Sequence, residues 1–245
     1  MQVDILTLFP AMFTGPFEAS IISRARRRGL LDINIVNIRD YALDKHQQVD
    51  DYPYGGGAGM VMRADVMYRA IDDTRRPGAH LIYLSPQGPR LAQSTAARLA
   101  RESHLVLLCG HYEGIDERIM NEVDEELSIG DFVLSGGELA AMVVVDAVTR
   151  LIPGALGDER SAQEESFAEG LLEYPHYTRP RVFQDMEVPQ MLLSGHHEHI
   201  RRWRKRLSIE RTLMKRPDLL LGRQFDPEER RMLEEILFGG ENQVK

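Results

Sequence analysis

Three glycine-bearing segments carry the residue types of this chain best suited to chemistry. They are Leu84-Ser85-Pro86-Gln87-Gly88, Cys109-Gly110-His111-Tyr112-Glu113-Gly114 and Ser128-Ile129-Gly130-Asp131-Phe132-Val133-Leu134-Ser135-Gly136-Gly137-Glu138. Each reads as a loop that follows an apolar strand. In open α/β sheets, ligands sit outside the carboxyl ends of the strands, where such loops converge. Glycine there lets backbone N–H and C=O groups come close to a ligand. One such loop alone reads better as a tight turn, but three in succession point to a ligand. Two common nucleotide sites are disfavoured: no glycine-rich stretch ends in Gly-Lys-Ser/Thr, and no GxGxxG follows a strand. The richest glycine cluster, Tyr54-Gly55-Gly56-Gly57-Ala58-Gly59-Met60, precedes a helix near Arg63 and suits either an anion-binding nest or a flexible lid.

Other candidates are weaker. Glu113 is suited to meeting a cation or to accepting from loop N–H groups, and the sequence does not choose. Gly195-His196-His197-Glu198-His199 lacks the His-Glu-x-x-His spacing that puts two ligands on one helix face, and Cys109 is far away, so we read no metal site there.

The elements that must position these loops follow from periodicity. Residues 1–9, 33–38, 80–84 and 105–109 read as strands, and 16–28, 63–73, 91–101 and 138–150 as helices, with Gly29 capping the first. Strands alternating with helices imply an α/β domain with a mainly parallel sheet. Residues 154–170 are polar and weakly patterned and read as a linker or mobile loop. Beyond it, 188–193, 197–214 and 227–238 read as helices of a small second domain, ending in a frayed tail from 239. The expected division is a domain over 1–160, an interdomain loop over 161–171 and a helical domain over 172–245.

Composition sets the class. With 43% hydrophobic and 28% charged residues among 245, the chain is an ordinary globular one. Its longest apolar run, residues 139–148, is too short for a membrane span and is broken by Asp146. The first residues do not read as a signal peptide, and one cysteine gives no sign of secretion, so a cytoplasmic protein is expected. The net charge of −8 argues against a nucleic-acid partner, but its distribution does not. Residues 1–171 hold 16 Lys and Arg against 26 Asp and Glu, whereas 172–245 hold 14 against 12. Residues 196–216 hold eight basic side chains and two acidic ones, suited equally to phosphate contact and to a solvated helix face. Trp203 within that run fits a core position or an RNA-stacking one.

Read together, Asp44-Lys45-His46, Val49-Asp50-Asp51, Pro53-Tyr54-Gly55-Gly56-Gly57, Ser85-Pro86-Gln87-Gly88, Gly110-His111-Tyr112-Glu113-Gly114, Asp116-Glu117-Arg118, Ser128-Ile129-Gly130-Asp131, Leu134-Ser135-Gly136-Gly137-Glu138 and Pro175-His176-Tyr177-Thr178-Arg179-Pro180 form one ordered set. That set resembles the bacterial tRNA (guanine-37-N1)-methyltransferase family, TrmD, from residue 1 to about 238. The resemblance implies a SPOUT-class α/β fold threaded into a trefoil knot, against the general rule of unknotted chains, and a homodimer whose sites need both subunits. It implies S-adenosylmethionine as donor, held by Tyr83, Leu84, Ser85, Pro86, Gln87, Gly88, Gly110, Tyr112, Glu113, Gly114, Ile129, Gly130, Phe132, Leu134, Gly136 and Gly137. It implies a tRNA anticodon stem-loop as substrate, with Asp50, Gly57, Gly59, Ser166 and Arg179 toward it, no membrane partner, and Mg2+ as an assisting ion without a visible ligand cage.

Guanine N1 is a poor nucleophile until its proton leaves, so the reaction asks for a carboxylate base and a donor to the charge developing on O6. The resemblance implies Arg150 for the second role. For the first it implies an aspartate, and this chain reads Glu164-Glu165-Ser166 there. Glu165 is the expected base, with Glu164 as the alternative. Further departures are Tyr52 for arginine, Ala58 and Ala140 for proline, and Phe132 for tyrosine. Alternatives are a knotted methyltransferase acting on another RNA base and an inactive RNA-binding homologue. A small-molecule binding module leaves the basic second domain unexplained.

Overall fold

The computed structural model describes residues 1–157 and 165–239. The chain divides into two compact units, Met1–Glu159 and Arg160–Lys245.

The first unit is built on a five-stranded sheet. Its strands are β1 (Gln2–Thr7), β2 (Asp32–Asn37), β5 (His80–Leu84), β6 (His104–Cys109) and β7 (Glu125–Leu127), in the order β2-β1-β6-β5-β7 and all parallel. A separate antiparallel pair joins β3 (Asp50–Asp51) to β4 (Val61–Met62). Parallel strands are covered on both faces and so read as unbroken apolar runs. Strand β6, His-Leu-Val-Leu-Leu-Cys, is buried along its whole length. The period of two sorts its side chains. Leu105, Leu107 and Cys109 join one core cluster, Val106 and Leu108 the other.

Helices α1 (Ser20–Arg27), α2 (Ala64–Thr74), α3 (Gln93–Leu99) and α4 (Glu138–Thr149) cover the sheet. Helix α2 buries Val66, Met67, Ala70 and Ile71 against one face, the spacing of a single helical stripe. Helix α4 buries Ala141, Val144, Val145 and Val148 against the other. The second unit holds α5 (His197–Lys215) and α6 (Pro227–Phe238) around Leu171, Ile209 and Met232. Asp226 and Glu229 close a capping box at the start of α6. Among the described residues no helix is long and apolar enough to cross a membrane.

Three local expectations need correction, and one element was not expected at all. The helix expected over 16–28 is a short 3-10 turn, Pro16–Glu18, then α1, because Ala19 between them is extended (φ −113°, ψ 160°). Residues 188–193 make only a 3-10 turn, Gln190–Leu193, because Pro189 disfavours helical backbone at Val188 before it and the chain turns at Gly195 (φ +73°) soon after. The strand before the third glycine loop is not apolar: β7 is Glu-Glu-Leu at a sheet edge, its Glu125 held by Arg98 and His80. A hairpin of β8 (Val182–Phe183) and β9 (Met186–Glu187) was unexpected, because Gln184 and Asp185 supply the positive φ that usually advertises itself as glycine.

Candidate functional site

Strands β6, β5 and β7 are neighbours, and their last residues are level: Leu84 is paired with Cys109 on one side and Leu127 on the other. Their three loops therefore leave the same edge together. They enclose an open cleft of about 220 Å3.

Backbone hydrogen bonds tie the loops into one rim. Ser85 N–H donates to the Leu127 carbonyl at 3.1 Å and Leu91 N–H to Ser128 at 2.7 Å, joining the first loop to the third. Gly137 N–H donates to the Gly110 carbonyl at 2.9 Å, joining the third to the second. Glu113 N–H donates to Met60 at 3.0 Å and Met62 N–H to Gly114 at 3.0 Å, so the segment after the glycine cluster is stitched to the second loop.

The glycines are required by close approach. A Cβ on Gly110 would lie 2.9 Å from the Tyr83 ring and hydroxyl, and one on Gly137 would lie 2.8 Å from Cys109 Cα. Gly130 turns beneath Phe132 with φ +153°. A Cβ on Gly59 would collide with the Glu113 carboxylate. Burial, aided by the nearby Glu126 and Glu117 charges, holds the Tyr83 phenol above its ordinary range, so it stays neutral and forms a fixed wall.

Of the sixteen side chains expected to hold the donor, all but Gly88 line this cleft. Gly88 instead lets the first loop lie flat on β7, where a Cβ would come 2.6 Å from Leu127 N. His111, Val133 and Ser135, inside the expected loops, line it as well, and Leu127, Ser128 and Ala140 line it without having been expected to. Among the lining residues Glu113 supplies the only carboxylate, opposite a mixed wall of apolar side chains and loop backbone. A cation-bearing ligand with an apolar body and hydrogen-bonding edges fits such a cleft.

The remaining candidates do not line this cleft. Asp50 is half-buried in β3 and pairs with Met62. Gly57 and Gly59 have φ of +135° and +82°, so their glycine identity is demanded by the turn. Arg150 closes α4 as its C-cap. In the second unit Ser166 Oγ accepts from Glu173 N–H at 3.1 Å, and the Glu165 carbonyl accepts from Ala168 N–H at 3.2 Å. Glu164 lies outside the described residues.

Glu165 lines a hollow of about 570 Å3 with Tyr174, Arg204 and Lys205, and Arg179 lines an adjacent one. That hollow is larger than the strand-end cleft, but size does not decide the donor site. Its cations Lys205 and Arg201 are already paired, with Glu169 and Glu229 and with Glu198 and Glu228. The same pairs, with Arg216–Asp218, neutralise part of the basic run expected to face RNA. Trp203 is half-buried, and it is Arg204 that lies over an aromatic ring, 4.6 Å from the Tyr174 centroid.

Residues 1–222 match a family model described as tRNA (Guanine-1)-methyltransferase TrmD. A tRNA (guanine-N(1)-)-methyltransferase of Syntrophomonas wolfei is 63% identical over 242 residues, covering 99% of each chain. The protein of the same name from Moorella thermoacetica is 58% identical over 242 residues and 96% of each chain. That from Pelotomaculum thermopropionicum is 56% identical over 243 residues, 97% of this chain and 96% of its own.

Proposed function

The chain belongs to the tRNA (guanine-1)-methyltransferase family and methylates a guanine of tRNA at N1, and on that premise we propose that the methyl donor is S-adenosylmethionine and the target the guanosine at position 37, beside the anticodon. The observation that carries the donor assignment is the cleft at the ends of β6, β5 and β7, whose walls are glycine backbone and whose one carboxylate is Glu113. When bound there, S-adenosylmethionine supplies an electrophilic methyl group on a cationic sulfur.

The protein's own groups do the rest by orientation and charge. Tyr83, Phe132 and Leu134 pack the apolar body of the ligand, and the loop amides and carbonyls read its edges. Glu113 faces the cationic end. Glu165 takes the N1 proton as general base. Arg150 donates to O6 as negative charge grows there. Glutamate in place of the family's aspartate keeps the carboxylate and extends its reach by one methylene. Among the described residues no group of three or more His, Cys, Asp or Glu is placed to hold a metal.

The SPOUT knot belongs to the same proposal. Its support is the path of the chain, which leaves β7 at the sheet edge, returns past the end of β5 and meets Gly110 after β6 before entering α4. A homodimer is supported by Leu139 and Val143, one turn apart on α4 and both about half exposed, a patch suited to a second copy. The second unit grips the anticodon stem-loop in this reading, where unstacked bases can be read directly. Incubation in the cytoplasmic range of salt and pH with labelled donor and tRNA transcripts tests the target. Label should enter transcripts with guanosine at position 37 and not those with another base there; equal labelling of both contradicts the assignment.

A further inference from the structure

One buried carboxylate near the cleft has no part in the chemistry above. Glu138 opens α4 and is 2% exposed. Thr7, wholly buried and 131 residues away, donates its hydroxyl to Glu138 Oε1 at 2.8 Å. Glu138 thus lies in the first turn of α4, at the positive end of the helix dipole, and accepts a hydrogen bond there.

What separates Glu138 from the cleft is Gly136. A Cβ on Gly136 would overlap Glu138 Oε2 on one side and come 2.7 Å from His111 Nδ1 on the other. Gly136 and His111 line the cleft, and Glu138 stands directly behind them. The His111 Nδ1 atom on the other side of Gly136 is buried without a hydrogen-bond partner among the described residues. Cys109, wholly buried, has its thiol pushed well above the usual range first by burial and then by nearby Glu138.

Resting on the donor reading above, we infer that Glu138 is a selectivity residue that acts through the glycine wall, favouring the cationic methyl donor over the neutral product left after transfer. Transfer breaks the S–CH3 bond with its electron pair left on sulfur, while the methyl carbon bonds to guanine N1, whose proton goes to the base. Donor and product therefore differ by one methyl group and one positive charge. Exposed Glu113 is screened by water, but a charge held in the interior is not, and at separations of several ångströms it retains a strong preference between the two. At residue 136 no side chain stands between Glu138 and the cleft.

Calorimetric titration of the full-length protein with S-adenosylmethionine and with S-adenosylhomocysteine tests this. Glu138→Gln keeps the volume and the acceptor for Thr7 and removes the charge. It should weaken donor binding about tenfold while product binding stays within about twofold. Equal losses for both ligands, or no change in either, overturn the inference. Glu138→Asp keeps the charge and should preserve the donor-to-product ratio even where both affinities fall; a ratio shifted as in Glu138→Gln also overturns it. Wild-type protein that binds neither ligand overturns the donor assignment and this inference together, whereas wild-type binding with an unshifted ratio in Glu138→Gln overturns this inference alone.

Discussion

The amide of Gly137 donates to the carbonyl of Gly110 across 2.9 Å, and this bond joins loops from two strands that are not neighbours. Gly110 follows β6 and Gly137 ends the loop that follows β7, with β5 between those two strands. The chain therefore crosses the end of β5 to make the bond, and the three loops close into one rim. The cleft exists because of that crossing.

Gly110→Ala tests the rim. The new methyl would meet the Tyr83 ring at 2.9 Å, and Tyr83 is itself 9% exposed and packed in the core. Overpacking of this kind costs about 1–3 kcal/mol and displaces side chains. Donor affinity should fall at least about tenfold, with a lowered denaturant midpoint. Wild-type affinity by calorimetry would show that the Gly110–Tyr83 approach does not shape the site.

Thr7→Val keeps the shape of a buried side chain and removes the donor to Glu138. Thr7 Oγ1 also accepts from Phe9 N–H at 2.9 Å, so the buried Glu138 carboxylate and the partly buried Phe9 amide both lose a partner. A loss of about 1–3 kcal/mol in urea unfolding is expected. A midpoint equal to that of the wild type would mean water replaces the hydroxyl at no cost.

Much of this architecture is legible in the residues themselves. The unbroken apolar runs of β5 and β6 announce buried parallel strands, and the glycines after them announce close backbone approach. Strand β7 is not legible, because Glu125 belongs to an edge strand whose carboxylates are satisfied by Arg98 and His80 from neighbouring elements. The β8–β9 hairpin hides behind a turn without glycine. Gly88 resembles the other loop glycines in sequence, yet it serves packing on β7, a distinction only the register reveals. The Thr7–Glu138 pair spans 131 residues, and no local spacing encodes it.

Cys109 should be chemically silent in the folded protein. Burial, and then the Glu138 charge, raise its pKa, so the folded state holds a proton that the unfolded chain gives up more readily. The sign follows: this contribution to stability is complete below the ordinary thiol range and is lost as pH rises above it toward the raised value. Native protein at pH 8.5 should resist a thiol reagent that labels it rapidly in denaturant. Fast labelling of native protein would contradict the burial of that strand end.

Glu165→Gln removes the proposed base without changing size. General-base catalysis supplies about 10²–10⁴-fold, so single-turnover methyl transfer should slow by that order while donor affinity stays near wild type. Unchanged turnover would move the role to another carboxylate, with Glu164→Gln the next variant to measure.

The central claim is that the donor is held by three loops far apart in sequence and by nothing in the second unit. Hydrogen exchange read by mass spectrometry, with and without S-adenosylmethionine, measures this directly. Protection should rise together in residues 85–88, 110–114 and 128–137 and leave α5 and α6 unchanged. Protection confined to the second unit, around Tyr174 and Arg204, with none in the three loops, would contradict it.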